Sequence, residues 1–170
     1  MTQLLIARPH LGPILVMAVC LAALGTAFAS EVWGGLQPCI LCIYQRYVYG
    51  VAFLVGLAGL ALSGRPGMVR LSLWLAGATF LVGVGVAFFH VGVEQHWWRG
   101  TADCHAPALD ADLSVDQLRE QLLNTNFVPC DEIPWSLFGI SMAGYNTLAY
   151  LIFAVAAVWA ASALKGRRTA

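Results

Sequence analysis

Four apolar runs dominate this chain, each close to the roughly 20 residues that a helix needs to cross the hydrocarbon core of a bilayer. They fall at about 11–29, 40–62, 71–93 and 143–164. A segment in lipid must satisfy its backbone hydrogen bonds internally, so runs of this length read as helices. Of the 170 residues, 59% are hydrophobic and only 11% are charged, against about 25% charged in a soluble domain. The expected fold is an all-α membrane protein: a four-helix transmembrane bundle forming a single integral membrane domain over residues 1–170. Loops are expected at about 30–39 and 94–142.

A formal net charge of zero hides a strong asymmetry. Arg8, Arg65, Arg70, Lys165, Arg167 and Arg168 fall on one side of a four-span chain, and Arg99 and Arg119 on the other. The excess of lysine and arginine marks the cytoplasmic side, so both termini are expected there. Every acidic residue falls on the outer side. Arg8, the first run and Ala27-Phe28-Ala29 would also suit a cleaved signal peptide. The run is long for one and further spans follow, so a retained span is expected. Nothing in the chain suggests a nucleotide loop, an internal repeat or a nucleic-acid partner.

The second run opens with Gln37-Pro38-Cys39-Ile40-Leu41-Cys42-Ile43-Tyr44-Gln45-Arg46. Pro38 suits the first turn of a helix, which would place Cys39 and Cys42 in that turn on one face. A helix N-terminus and a nearby cation both favour thiolate over thiol. Arg46 lies one turn beyond Cys42 and heads into lipid, where a charge needs a partner and a task. Cys20, in the middle of the first run, is expected to be a small buried apolar residue. Gly56, Gly59, Gly77, Gly83 and Gly85 suit close helix contact.

The third run ends in Phe88-Phe89-His90, followed by Trp97 and Trp98, expected as an interfacial belt. His90 would lie at the depth of the Cys-x-x-Cys motif; a purely structural role is equally open to it. The long loop carries Cys104 and Cys130. Between them Ser114-Val115-Asp116-Gln117 reads as a capping box opening a short amphipathic helix. An apolar stretch, Trp135–Ile140, is expected at the interface before the fourth span.

Two structural disulfides would be the plainest use of the four outer cysteines. A bond between Cys104 and Cys130 would close a sizeable loop, but one between Cys39 and Cys42 encloses almost no chain and stabilises little. A close pair at a helix start is instead the redox arrangement. A zinc site could use the same four residues, but it gives Arg46 no purpose. Adjacent dithiol pairs can pass electrons by exchange, and the electrons then need an exit. A lipid-soluble quinone beside Cys42 would supply one, with Arg46 stabilising the negative charge its oxygens gain.

Pro-Cys-x-Leu-Cys-x-Tyr-Gln-Arg, four spans with both ends inside, and two more cysteines in a long second outer loop together resemble the DsbB family over nearly the whole chain. The resemblance implies a quinone-linked thiol oxidoreductase of the bacterial inner membrane, with its active site at the periplasmic face. It implies that Cys39, Cys42, Cys104 and Cys130 are catalytic, and that Arg46 and His90 bind ubiquinone or menaquinone. The implied partner is a DsbA-like periplasmic thioredoxin-fold protein, which attacks a loop disulfide at Cys104. Cys130, once freed, attacks Cys39 and leaves Cys42 as a thiolate beside the quinone. Two alternatives stand beside this reading. One is a four-span protein with structural disulfides or a metal site and no turnover. The other is a vitamin K epoxide reductase-like enzyme, whose Cys-x-x-Cys lies late in the chain rather than at the second span.

Overall fold

A computed structural model describes residues 8–104, 114, 116, 119 and 128–164. Four long helices carry it: α1 (Leu11–Val32), α2 (Ile40–Ala61), α3 (Pro66–Glu94) and α4 (Met142–Ala163). All four are long and apolar enough to cross a membrane. The third begins at Pro66, five residues before the expected edge, so Arg70 lies on the helix and not in the link. Pro66 explains the earlier start. It occupies the first helical position, where its missing N–H removes no helical bond.

The helices alternate in direction, so one end of the bundle gathers the close of α1, the start of α2, the close of α3 and the start of α4. We call this the cysteine end. α3 is the central element and packs chiefly on α4 and α2, while α1 packs chiefly on α2. The core between them holds Cys20, Tyr49, Val69, Leu73, Phe80 and Tyr150. Tyr49 stacks on Tyr150 with ring centroids 4.4 Å apart, and Phe80 meets Tyr49 edge-on at 6.5 Å. Cys20 is fully buried, as expected of a small apolar residue.

Small residues let the helices approach. A methyl group at Gly77 would lie 2.9 Å from Val158, and one at Gly83 would lie 2.7 Å from the Tyr150 ring. Gly56 meets Met17 and Pro13 of α1 in the same way, and Gly59 meets Ser72 of α3. Gly85, expected to do likewise, faces open space with nothing within 4 Å. A glycine in an apolar run carries no mark of which face it occupies, so the spacing alone did not separate it from Gly83.

Two further elements frame the cysteine end. Ser136–Leu137 (β1) pairs antiparallel with Ile140–Ser141 (β2). Phe138 and Gly139, both at positive φ, make the tight turn between them. Such turns match the natural twist of a hairpin. The expected interfacial stretch is therefore a small hairpin leading directly into α4. The amphipathic helix expected after Ser114 falls almost wholly outside the described residues.

Gly83 and Gly85 make a matched pair. Gly83→Ala should destabilise the detergent-solubilised protein by about 1–3 kcal/mol through overpacking against Tyr150. Gly85→Ala should leave stability within about 0.5 kcal/mol of the parent. Thermal unfolding of the two variants side by side measures the difference.

Candidate redox site

The cysteine motif sits differently from its expected place in the first helical turn. Pro38 precedes the helix, and Cys39 is the N-cap residue of α2, with extended backbone. A cap residue must supply an acceptor for an orphan N–H near the start of the helix. The Cys39 sulfur does this, accepting from the Cys42 N–H at 3.3 Å. The two sulfurs lie 2.9 Å apart and are not bonded. Cys39 is buried, while Cys42 is partly exposed.

Cys39 is held well below the ordinary thiol range, at about 4. The largest cause is the hydrogen bond from the Cys42 thiol. Burial opposes it, and His90 and the Cys42 N–H assist.

Cys104 and Cys130 form a disulfide. Its position follows from the end of α3. His96 adopts a left-handed conformation and stops the helix, and the Trp97 N–H returns to the Gly92 carbonyl at 2.8 Å. Trp98 does more than mark an interface. It stacks on Phe89, donates from Nε1 to the Phe89 carbonyl at 2.9 Å, and covers Gly92, where any side chain would collide with it. The chain then makes a 3₁₀ turn at Ala102–Cys104. Cys39, Cys104 and Cys130 thereby share one buried cluster with Leu41 and Val93, and Cys42 packs against it. Beside Cys104 lies a cleft of about 310 Å³, lined by Val93, Trp97, Trp98, Gly100 and Asp131 among others.

His90 joins this cluster. Its Nε2 is 3.5 Å from the Cys39 sulfur, and 3.9 Å from Glu94 Oε1 one turn further along α3. The ring also lies against the backbone of Cys130. Glu94 is buried and accepts a short hydrogen bond from Ser141 at the start of α4. The Nδ1 of His90 meets the amide of Gln45 at 3.0 Å.

Arg46 points away from His90, toward α1. It forms an ion pair with Glu31 at 2.6 Å and sits 4.8 Å from the centre of the Phe28 ring. The partner that an intramembrane charge requires is therefore Glu31. The sequence reading did not assign it a role, nor Gln45, Glu94, Ser141 or Asn146. Gln45 and Asn146 carried a usable signal, since an amide inside an apolar span is as conspicuous as a charge.

Two occupants of the site can be weighed. Zinc on the four cysteines fails, because two of them are spent in a disulfide. The donor atoms of Cys39, Cys42 and His90 lie within 4.8 Å of one another. However, two thiolates on one tetrahedral zinc stand about 3.8 Å apart, given bonds of about 2.3 Å. The observed 2.9 Å is too close for that arrangement. A quinone fits the donor set better. Cys42 and Arg46 are one turn apart on α2, the sulfur is partly exposed, and the flat Phe28 ring lies beside the guanidinium.

A dithiol at a helix start, packed on a disulfide at one end of four membrane-length helices, defines a membrane thiol–disulfide oxidoreductase. Comparison with known proteins is more specific. The family model described as "Disulfide bond formation protein DsbB" matches residues 10–160. Disulfide bond formation protein B 2 of Pseudomonas savastanoi pv. phaseolicola is 31% identical over 159 residues, covering 85% of this chain and 83% of its own. Disulfide bond formation protein B of a Psychrobacter species is 33% identical, covering 82% and 83%. That of Dechloromonas aromatica is 31% identical, covering 77% and 79%. The chain belongs to the DsbB family. It is a multi-pass membrane protein of disulfide-bond formation and a disulfide-forming oxidoreductase.

The Cys39 environment sets a pH dependence. Its folded pKa of about 4 lies below the unfolded thiol value, so the thiolate stabilises the reduced fold fully above that unfolded value, and the contribution is gone once pH falls below about 4. The ultraviolet thiolate absorbance of the reduced protein should persist at pH 6 and fall by half near pH 4. It should be absent in Cys39→Ser. A single titration close to the ordinary thiol value of about 8.5 would contradict this assignment.

Proposed function

We propose that the chain reoxidises a soluble DsbA-type dithiol protein at the periplasmic face of the bacterial inner membrane and delivers the electrons to a membrane quinone, ubiquinone or menaquinone. The observation that carries this reading is the shared cluster of Cys39, Cys104 and Cys130 with Cys42 against it. Exchange needs sulfur-to-sulfur contact, and this packing brings the pair at the start of α2 and the loop pair into one neighbourhood. The charge asymmetry supports the orientation, with the cysteine end facing outward.

The chemistry is a series of displacements at sulfur. The partner's thiolate attacks Cys104; the Cys104–Cys130 bond breaks and Cys130 leaves as a thiolate. Cys130 attacks Cys39 of an oxidised Cys39–Cys42 pair, and Cys42 leaves. The partner's second thiol, deprotonated, attacks its own sulfur bonded to Cys104, so the partner departs oxidised and Cys104 is freed. Cys104 then attacks Cys130, restoring the loop disulfide and releasing Cys39. The net change is two electrons moved from the partner to Cys39 and Cys42. A loop disulfide with two free thiols at the start of α2, the pairing described above, corresponds to the end of that series.

A bound quinone would supply the two-electron, two-proton acceptor that lets the Cys39–Cys42 bond re-form. Arg46 would hold it beside Cys42 and place positive charge where its oxygens lie, while Phe28 and the span surface keep water away. Glu31 fixes the guanidinium in the meantime. His90 would serve the same site from the α3 side through its contact with Cys39.

An anaerobic assay with a reduced DsbA-type protein and added quinone, following thiol loss and quinol formation together, tests this reading. The two should rise in equal amounts. Serine at Cys39, Cys42, Cys104 or Cys130 should each lower turnover by about 10³-fold or more, while Cys20→Ser should retain it. Turnover that survives loss of Cys39 or Cys42 would overturn the proposal. Arg46→Lys keeps the charge but loses the planar fork. It should raise the apparent KM for quinone by about tenfold with dithiol exchange intact.

A further inference from the structure

The hydrogen bonds around Gln45 decide which nitrogen of His90 carries the proton. Gln45 is 2% exposed, so its amide is confined to protein partners. Its Nε2 lies 3.2 Å from the Leu41 carbonyl. A carbonyl can only accept, so the group facing it must be the NH₂ and not the oxygen. The rest of the network follows without freedom. The Gln45 oxygen accepts from Asn146 Nδ2 at 2.7 Å, and the Asn146 oxygen accepts from Tyr49 at 3.0 Å. The second hydrogen on Gln45 Nε2 points at His90 Nδ1, 3.0 Å away. A donor there requires Nδ1 to be the bare, accepting nitrogen.

On the other side of the ring, Nε2 faces the Cys39 sulfur at 3.5 Å and Glu94 Oε1 at 3.9 Å, and both groups accept when ionised. The titratable groups around the ring are Cys39 and Cys42 from the start of α2 and Glu94 from its own helix.

We propose that Gln45, held by Asn146 and Tyr49, is a positioning residue that locks His90 as the Nε2–H tautomer, so that the ring donates a hydrogen bond to the Cys39 sulfur. This rests on the reading of Cys39–Cys42 as the redox pair. It assigns His90 a definite task there, stabilising Cys39 as the thiolate it becomes when the bridge to Cys130 is broken. His90 is thereby a donor to Cys39 and not the base that removes its proton. A hydrogen bond to a charged group is among the stronger kinds.

The test is the nitrogen spectrum of the reduced, full-length protein in detergent, with ¹⁵N-labelled histidine and His90→Gln to assign the signals. The wild-type protein should show His90 with Nε2 protonated and Nδ1 bare. Gln45→Glu places a carboxylate oxygen where the N–H was, with almost no change in shape, and should convert Nδ1 to its protonated form. A wild-type ring protonated at Nδ1 would overturn the proposal without any variant. So would a Gln45→Glu spectrum identical to that of the wild type. A residue that merely filled space would leave the tautomer unmoved in the isosteric variant. Turnover that survived Cys39→Ser would remove the redox role while leaving the tautomer result standing, so the two failures are distinguishable.

Discussion

Thiol–disulfide exchange works only over bond-forming distance, and that constraint organises the cysteine end of this protein. One pair belongs to a helix that starts at the membrane boundary, and the other to a long loop that could lie anywhere above it. The close of α3 removes that freedom. His96 stops the helix, Trp98 folds back over Gly92, and the 3₁₀ turn delivers Cys104 onto Cys39 and Val93. Without this return the two disulfide-forming pairs would be independent, and neither could serve the other.

The interior divides along the bundle. One end is apolar and closely packed, with glycines admitting Val158 and Met17. The cysteine end carries a continuous polar network: Tyr49, Asn146 and Gln45 lead to His90, and His90 leads to Cys39, Glu94 and Ser141. Hydrogen bonds between membrane helices average only about 0.6 kcal/mol each. Their value here lies in geometry more than stability. They draw α2, α3 and α4 into one register around the redox sulfur, and they set the orientation of groups that would otherwise rotate. Arg46 and Glu31 form a separate ion pair on the α1 side of α2, while His90 meets Cys39 from α3.

Much of this was legible from residues alone. Length and apolarity marked four spans, and α3 departed only by starting at Pro66, because the charged Arg70 broke the apolar count but not the helix. The Cys-x-x-Cys motif, its place at a helix start and the membership of the DsbB family were all readable. Its fine placement was not. Pro38 suggested a first-turn proline, yet the sulfur of Cys39 itself caps the helix. Glu94 read as the first residue of a loop and is instead a buried carboxylate at the last turn of α3. Asn146 lies 101 residues from Gln45 and Ser141 lies 47 from Glu94, and only the packing of α4 brings each pair together. Local periodicity records which residues share a helix face; it holds no record of which face of another helix they meet.

The central claim is that Cys130 and Cys39 exchange directly. A variant carrying Cys42→Ser and Cys104→Ser leaves only those two sulfurs, with buried Cys20, to react. Mild oxidation followed by peptide mapping under non-reducing conditions should find a Cys39–Cys130 disulfide in most molecules. Recovery of both as free thiols, or bonded only between separate chains, would show that the two pairs do not meet and would contradict the account.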